Sequence, residues 1–332
     1  MSGIITLTMN PALDVTTSTD TVMSTEKMRC DPPRHDPGGG GINVARVVRA
    51  LGESPIAVFP AGGPSGHALD ALLAAEGMST RRVEIDGATR ESFTVNERKT
   101  SLQYRLVLAG PELTADEQEG CLSALAEVAV GADFVVASGS LPLGVPADFF
   151  QRVARVTQDL GARLVLDTSG EALRHMRSGV YLLKPSVREL RECVGRELRS
   201  EDDQLVAARE LIGAGISEVV VISLGADGAL AVTADWEEYF PAIDVPVLSG
   251  VGAGDGMVAA ITVGLSRGWP LGEAVRLGIA ASAAMLMTPG TQPCRRQDVE
   301  RLYSDHDRLG DHRPAPPTEA PKFIAHPPRA HA

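Results

Sequence analysis

The chain has 332 residues, with 31 basic and 43 acidic side chains and a formal net charge of −12. Its acidity and its few Phe, Trp and Tyr residues argue against a nucleic-acid partner, which calls for a cationic face and stacking rings. At 44% hydrophobic residues it can bury a large core, which excludes disorder for the bulk of the chain.

In chain order, short β-branched runs alternate with longer amphipathic ones. Strands are predicted over 4–8, 55–59, 134–137, 163–167, 181–183 and 218–222. Helices are predicted over 68–76, 115–128, 148–159, 204–213, 259–267 and 273–287. This is the rhythm of βαβ units, hence a doubly wound, mainly parallel sheet with helices on both faces. Two segments, 15–34 and 91–108, alternate apolar and polar side chains without helical spacing, as in Ser92-Phe93-Thr94-Val95-Asn96. They suit antiparallel ribbons forming a small second sheet, a lid over a cleft whose edges a dimer would cover. Residues 1–309 thus read as one domain, and 310–332 as a proline-rich disordered tail.

No apolar run reaches the roughly 18 residues of a membrane span, and Leu277 to Met287 is the longest candidate. The N-terminus lacks a cationic lead and meets Asp14 early, which does not fit a signal peptide. Cys30, Cys121, Cys193 and Cys294 lie far apart, so neither a zinc site nor a disulfide framework is indicated. A cytoplasmic protein without a membrane partner fits these features.

Four motifs carry candidate chemistry. Gly38-Gly39-Gly40-Gly41-Ile42-Asn43 leads into an apolar helix, where missing Cβ atoms and unpaired amides would admit a polar or anionic ligand; a flexible loop is the plain alternative. Asn43 adds an amide that can hold hydroxyls. Val251-Gly252-Ala253-Gly254-Asp255 pairs an anion-binding helix start with a carboxylate that could serve as a base, or could merely cap the helix. Ser223-Leu224-Gly225-Ala226-Asp227-Gly228 follows a strand where open α/β sheets bind ligands, and a hairpin turn explains it equally well. Lys184-Pro185-Ser186-Val187-Arg188-Glu189 offers a cation for phosphate, although Ser186 and Glu189 also make a capping box. No Gly-Lys pair, Gly-x-Gly-x-x-Gly or His-Glu-x-x-His occurs, which removes P-loop, classical dinucleotide and zinc-protease readings.

Taken together, the glycine run at 38–43 and Val-Gly-Ala-Gly-Asp at 251–255 resemble the two signatures of the ribokinase-like sugar kinases of phosphofructokinase B type. The resemblance extends from Ile4 to about Tyr303. Thr6-Leu7-Thr8, Leu13-Asp14, Lys27, Arg29-Cys30, Tyr104-Arg105, Ser138-Gly139-Ser140 and Lys184-Pro185 are most similar to the family's bacterial minor-type 6-phosphofructokinase branch.

The resemblance implies ATP-dependent phosphorylation of a sugar phosphate, fructose 6-phosphate, by a homodimer joined through the lid. It implies Asp255 as base, with Gly252 and Gly254 as the anion hole and a contact to ATP. Asp14, Gly39, Asn43 and Ser138 would hold the sugar. Arg90 and Arg105 would take the sugar's phosphate, and Lys27 and Arg29 would reach in from the lid. Lys184, Ser186, Ser223, Gly225, Gly228 and Ala283 would line the nucleotide. Glu189 would act on magnesium through water, with Ser186 standing where the family carries Asn. Potassium would sit among carbonyls at Ser249, Val251, Met285, Thr288 and Gly290. Fructose 1-phosphate or tagatose 6-phosphate as substrate keeps the same chemistry, and a non-catalytic sugar-phosphate or nucleotide sensor is the rival of another class.

Overall fold

The computed structural model describes residues 3–307, so the proline-rich tail lies outside the described residues. The chain opens with β1 (Ile4–Leu7), β2 (Ala12–Thr19), β3 (Arg34–Gly38), α1 (Gly40–Ala50), β4 (Ile56–Ala61), α2 (Gly63–Ala75) and β5 (Ser79–Glu84). It continues through β6 (Arg90–Glu97), β7 (Gln103–Val107), α3 (Ala115–Val128), β8 (Phe134–Ser138), α4 (Phe149–Asp159), β9 (Arg163–Asp167), α5 (Gly170–Arg174) and β10 (Val180–Leu183). There follow α6 (Val187–Val194), α7 (Glu201–Gly213), β11 (Ser217–Ser223), β12 (Ala229–Val232), β13 (Glu237–Phe240), α8 (Ala253–Ser266), α9 (Leu271–Leu286) and α10 (Arg296–Asp307).

Nine strands form one sheet in the order β13-β12-β11-β10-β9-β8-β1-β4-β5, parallel from β11 to β5. The period of two along each strand sends alternate side chains to opposite faces. Val135 and Ala137 pack with α3, α4 and α7, while Phe134 and Val136 pack with α1, α8 and α9. That two-faced burial is the doubly wound architecture predicted from the sequence. Three strands escape the sequence patterns. β5 reads Ser-Thr-Arg-Arg-Val-Glu and is mostly exposed, as an edge strand can be. β12 and β13 are four-residue antiparallel additions at the opposite edge.

The second sheet has the order β3-β2-β6-β7. It confirms a lid but corrects its outline. The strands occupy 12–19 and 34–38 rather than 15–34, and residues 20–33 carry no strand. The central pair β2–β6 runs parallel, with Ala12 to Thr19 matched to Arg90 to Glu97, because both strands leave the body from the same side. Only the outer pairs are antiparallel. The register places Asp14 beside Ser92 and Asp36, and Arg105 beside Thr94, so Asp14, Asp36, Arg90 and Arg105 share one face. Phe93 and Leu106, then Val95 and Tyr104, pair on the other.

Candidate active site

The sheet order turns back between β1 and β8, and at such a switch the carboxyl ends of neighbouring strands diverge into a cleft. Ser138 ends β8, Asp167 ends β9, Lys184 follows β10 and Ser223 ends β11. Two helices begin at the same place. α1 starts after Gly39 and α8 after Gly252, and neither N-terminus has a side-chain cap, so their first amides remain open to a ligand.

Asp255 sits in the first turn of α8 and does not cap it, because the N-cap is Gly252 in the left-handed conformation. Its carboxylate accepts a 2.9 Å hydrogen bond from Asn43 Nδ2, and Ser138 Oγ lies 3.4 Å away. Burial, then the nearby Asp167 carboxylate, push its pKa up to about 7, while Asn43, Lys184 and Ser138 restrain the rise. This is a carboxylate set to exchange a proton near neutrality. Lys184 is buried, with Nζ 3.2 Å from Asp167 Oδ1. Burial alone would depress Lys184, but Asp167 and then Glu189 hold it above its ordinary value and therefore charged.

Sequence reasoning missed Asp167. Its signal was the single acid closing the apolar run Leu164-Val165-Leu166, at the strand end where ligands collect.

Two glycines of the run at 38–41 also have a packing role. A Cβ at Gly40 would collide with Ser138 Oγ, and one at Gly41 would come within 2.5 Å of the Leu7 carbonyl. Protein atoms fill the space a side chain would take at Gly40 and Gly41, so these two glycines let α1 press against β1 and β8. Asn43 is thereby delivered to the cleft with its Oδ1 buried and without a hydrogen-bond partner. On the lid, Asp14 is pushed up to about 6, chiefly by burial and against the opposing Arg90 and Arg105. Arg90 donates to the carbonyls of Leu108 and Asn10, leaving its buried Nε without a partner. Unpaired buried polar atoms on both sides of the cleft are what a polyhydroxylated anion would satisfy.

The remaining predicted residues divide. Ser186 and Glu189 form the capping box of α6, through bonds of 2.8 and 3.3 Å, while Glu189 stays close enough to act on Lys184 and Asp167. Ser223 to Gly228 form a hairpin from β11 to β12, with a 3-10 turn over Gly225–Asp227. Gly228 has a positive φ, and a Cβ there would collide with the Phe240 carbonyl at the end of β13, whereas Gly225 faces open space. Ala283 is buried in α9. The carbonyl loops come together, because Leu248 N–H and Ser249 N–H both donate to the Leu286 carbonyl. Lys27 and Arg29 are exposed on the 20–33 segment, and among the described contacts neither side chain meets the cleft.

Among the described residues no helix is long and apolar enough to cross a membrane, and all four cysteines are free.

Residues 6–298 match the model of the pfkB family of carbohydrate kinases. An ATP-dependent 6-phosphofructokinase isozyme 2 of Mycobacterium tuberculosis is 62% identical over 300 residues, covering 90% of this chain and 88% of that protein. Two solved structures of Escherichia coli phosphofructokinase-2 align over 93% of this chain and 100% of theirs. One, in complex with potassium, has a TM-score of 0.89 at 39% identity; the other, in complex with fructose-6-phosphate, has 0.87 at 38%. The two glycine-started helices meeting at Asp255, the lid and these matches agree: the chain belongs to the pfkB family of carbohydrate kinases.

Proposed function

We propose that this protein is an ATP-dependent 6-phosphofructokinase that transfers the terminal phosphoryl group of ATP to the 1-hydroxyl of fructose 6-phosphate. The observation that carries the mechanism is the placement of Asp255, bonded by Asn43 in the first turn of a helix whose start carries no side-chain cap. The carboxylate takes the proton of the attacking hydroxyl, and the sugar oxygen bonds to phosphorus as the bond to ADP breaks. Amides at Gly252, Ala253 and Gly254 stabilise charge on the equatorial oxygens, and Lys184 offsets that of the nucleotide phosphates.

Asp14, Gly39, Asn43 and Ser138 orient the sugar, and Arg90 with Arg105 bind its phosphate on the polar face of the lid. The nucleotide lies along the Ser223–Gly228 hairpin and Ala283. The exposed Lys27 and Arg29 belong to this site only when the 20–33 segment folds inward over bound substrate. An intact base, cation and anion hole argue against a sensor that cannot turn over.

The cleft fits magnesium. Asp167, Glu189 and Asp255 all act on Lys184, although the described residues hold no cluster of three or more acidic, His or Cys side chains able to cage an ion. Such a site suits an ion held jointly by one or two carboxylates, waters and phosphates. Bound there, magnesium would neutralise phosphate charge. The loops at Ser249, Val251, Met285, Thr288 and Gly290 present neutral carbonyl oxygens, a donor chemistry suited to potassium. Phe93, Leu106 and Tyr104, exposed together on the outer face of the lid, support a homodimer through that sheet.

A coupled ADP-release assay comparing kcat/KM for fructose 6-phosphate, fructose 1-phosphate and tagatose 6-phosphate tests the substrate. Preference for fructose 6-phosphate is expected, and a higher value for either rival sugar overturns the assignment.

A further inference from the structure

Arg34 opens β3 opposite Thr16 of β2, and its guanidinium is divided between two parts of the molecule. Nε pairs with Asp36 at 2.7 Å within the lid, while Nη2 donates to the Pro289 carbonyl of the body at 2.9 Å. The next residue, Gly290, has φ 61°, and a Cβ there would collide with Arg34 Nη2. The lid thus rests on the 289–290 turn beside Gly290, whose positive φ favours glycine. Asp36 stands directly across the ladder from Asp14, the carboxylate assigned above to the sugar. At the other end of β3, the buried Arg46 donates through Nη1 to both the Pro37 and Thr291 carbonyls, at 3.3 and 2.8 Å. Two guanidinium groups therefore hold both ends of one lid strand to one body turn, and the carbonyls assigned to potassium at 288 and 290 flank the residue that Arg34 grips.

We propose that Arg34 is a positioning residue that latches the lid onto the Pro289 turn, so that a sugar held under the lid and a monovalent cation held at the adjoining carbonyls favour each other. The inference rests on the lid and potassium readings given above. A lid that lifts must break the Arg34–Pro289 bond, and a cation that orders the turn presents that carbonyl in place. By linkage each ligand then tightens the other by one common factor.

The test reads binding without turnover. Calorimetric titration of the full chain with fructose 6-phosphate, without ATP, is compared in potassium chloride and in choline chloride of equal ionic strength. For the natural chain, potassium is expected to lower Kd by a factor on the order of five. In Arg34→Met the two salts should give nearly the same Kd, and Arg34→Lys, which can still donate one hydrogen bond, should recover part of the ratio. Melting temperature in the two salts, without sugar, reads cation binding by itself and should rise with potassium in the natural chain and in Arg34→Met alike. Arg34→Met retaining the full ratio, or a natural chain whose sugar affinity ignores potassium while its melting temperature responds, overturns the latch. A melting temperature that ignores potassium in both proteins overturns the cation reading and the latch with it, and absence of any sugar heat overturns the substrate reading.

Discussion

Helices α1 and α8 both have a glycine at the N-cap, both lack a side-chain cap, and each brings one polar side chain to the cleft, Asn43 and Asp255, joined by a 2.9 Å hydrogen bond. They differ in what lies where the missing side chains would be. Around Gly40 and Gly41 the space is filled by Ser138, Thr8 and the Leu7 backbone, whereas a Cβ at Gly254 would meet nothing closer than Lys184 Nζ at 3.7 Å. Gly40 and Gly41 serve packing at the first helix start, and Gly254 serves access at the second. The same residue pattern thus marks a joint in one place and a binding surface in the other, and only surrounding atoms tell them apart.

That contrast can be broken by substitution. The largest effect is expected from Lys184→Met, which strips the cation from the open helix start and leaves Asp167 buried without its partner. Such a loss costs about 3–5 kcal/mol, read as a lower denaturation midpoint, together with loss of turnover. Next comes Gly41→Ala, which should behave as a packing defect. Pushing a methyl against the Leu7 carbonyl should cost about 1–3 kcal/mol in chemical denaturation, a loss that saturating substrates reduce but do not abolish. Gly254→Ala should do the reverse. Its unfolding midpoint should hold or rise slightly with helix propensity, while kcat/KM for ATP falls roughly tenfold or more, since the methyl stands where phosphoryl oxygens would go. Equal stability losses in the two glycine variants would remove the distinction.

A smaller effect concerns pH. The folded pKa of Asp255, about 7, lies above its unfolded value of 3.8, so the folded state binds the extra proton. Its contribution therefore favours folding at low pH and is lost as pH rises from about 4 through 7. Asp255→Asn, which keeps the acceptor for Asn43, should melt higher than the natural chain at pH 8, and the difference should shrink at pH 5. A difference independent of pH would contradict the raised pKa.

Much of the body could be read from the sequence, because buried parallel strands and amphipathic helices leave strong periodic signals. Arg163–Asp167 and Ala115–Val128 fall where their patterns end. The lid could be read only in part. Strands 12–19 and 34–38 are short and polar on one side, and the loop between them has no period to mark its edges. Asp255, Asn43 and Lys184 stood in motifs, but Asp167, Arg34 and Arg46 act through partners distant in sequence. Arg46, for example, bonds the Thr291 carbonyl 245 positions away. No local pattern encodes such a contact, and the roles of Gly40 and Gly41 depend on strand ends that only the fold supplies.

The most direct measurement is ADP release with ATP and fructose 6-phosphate by the natural chain and by Asp255→Asn at matched concentration, each with its melting temperature recorded. A base acting on the attacking hydroxyl predicts normal folding and a fall in kcat of roughly a hundredfold to ten-thousandfold. Undiminished turnover by a folded Asp255→Asn would contradict the account.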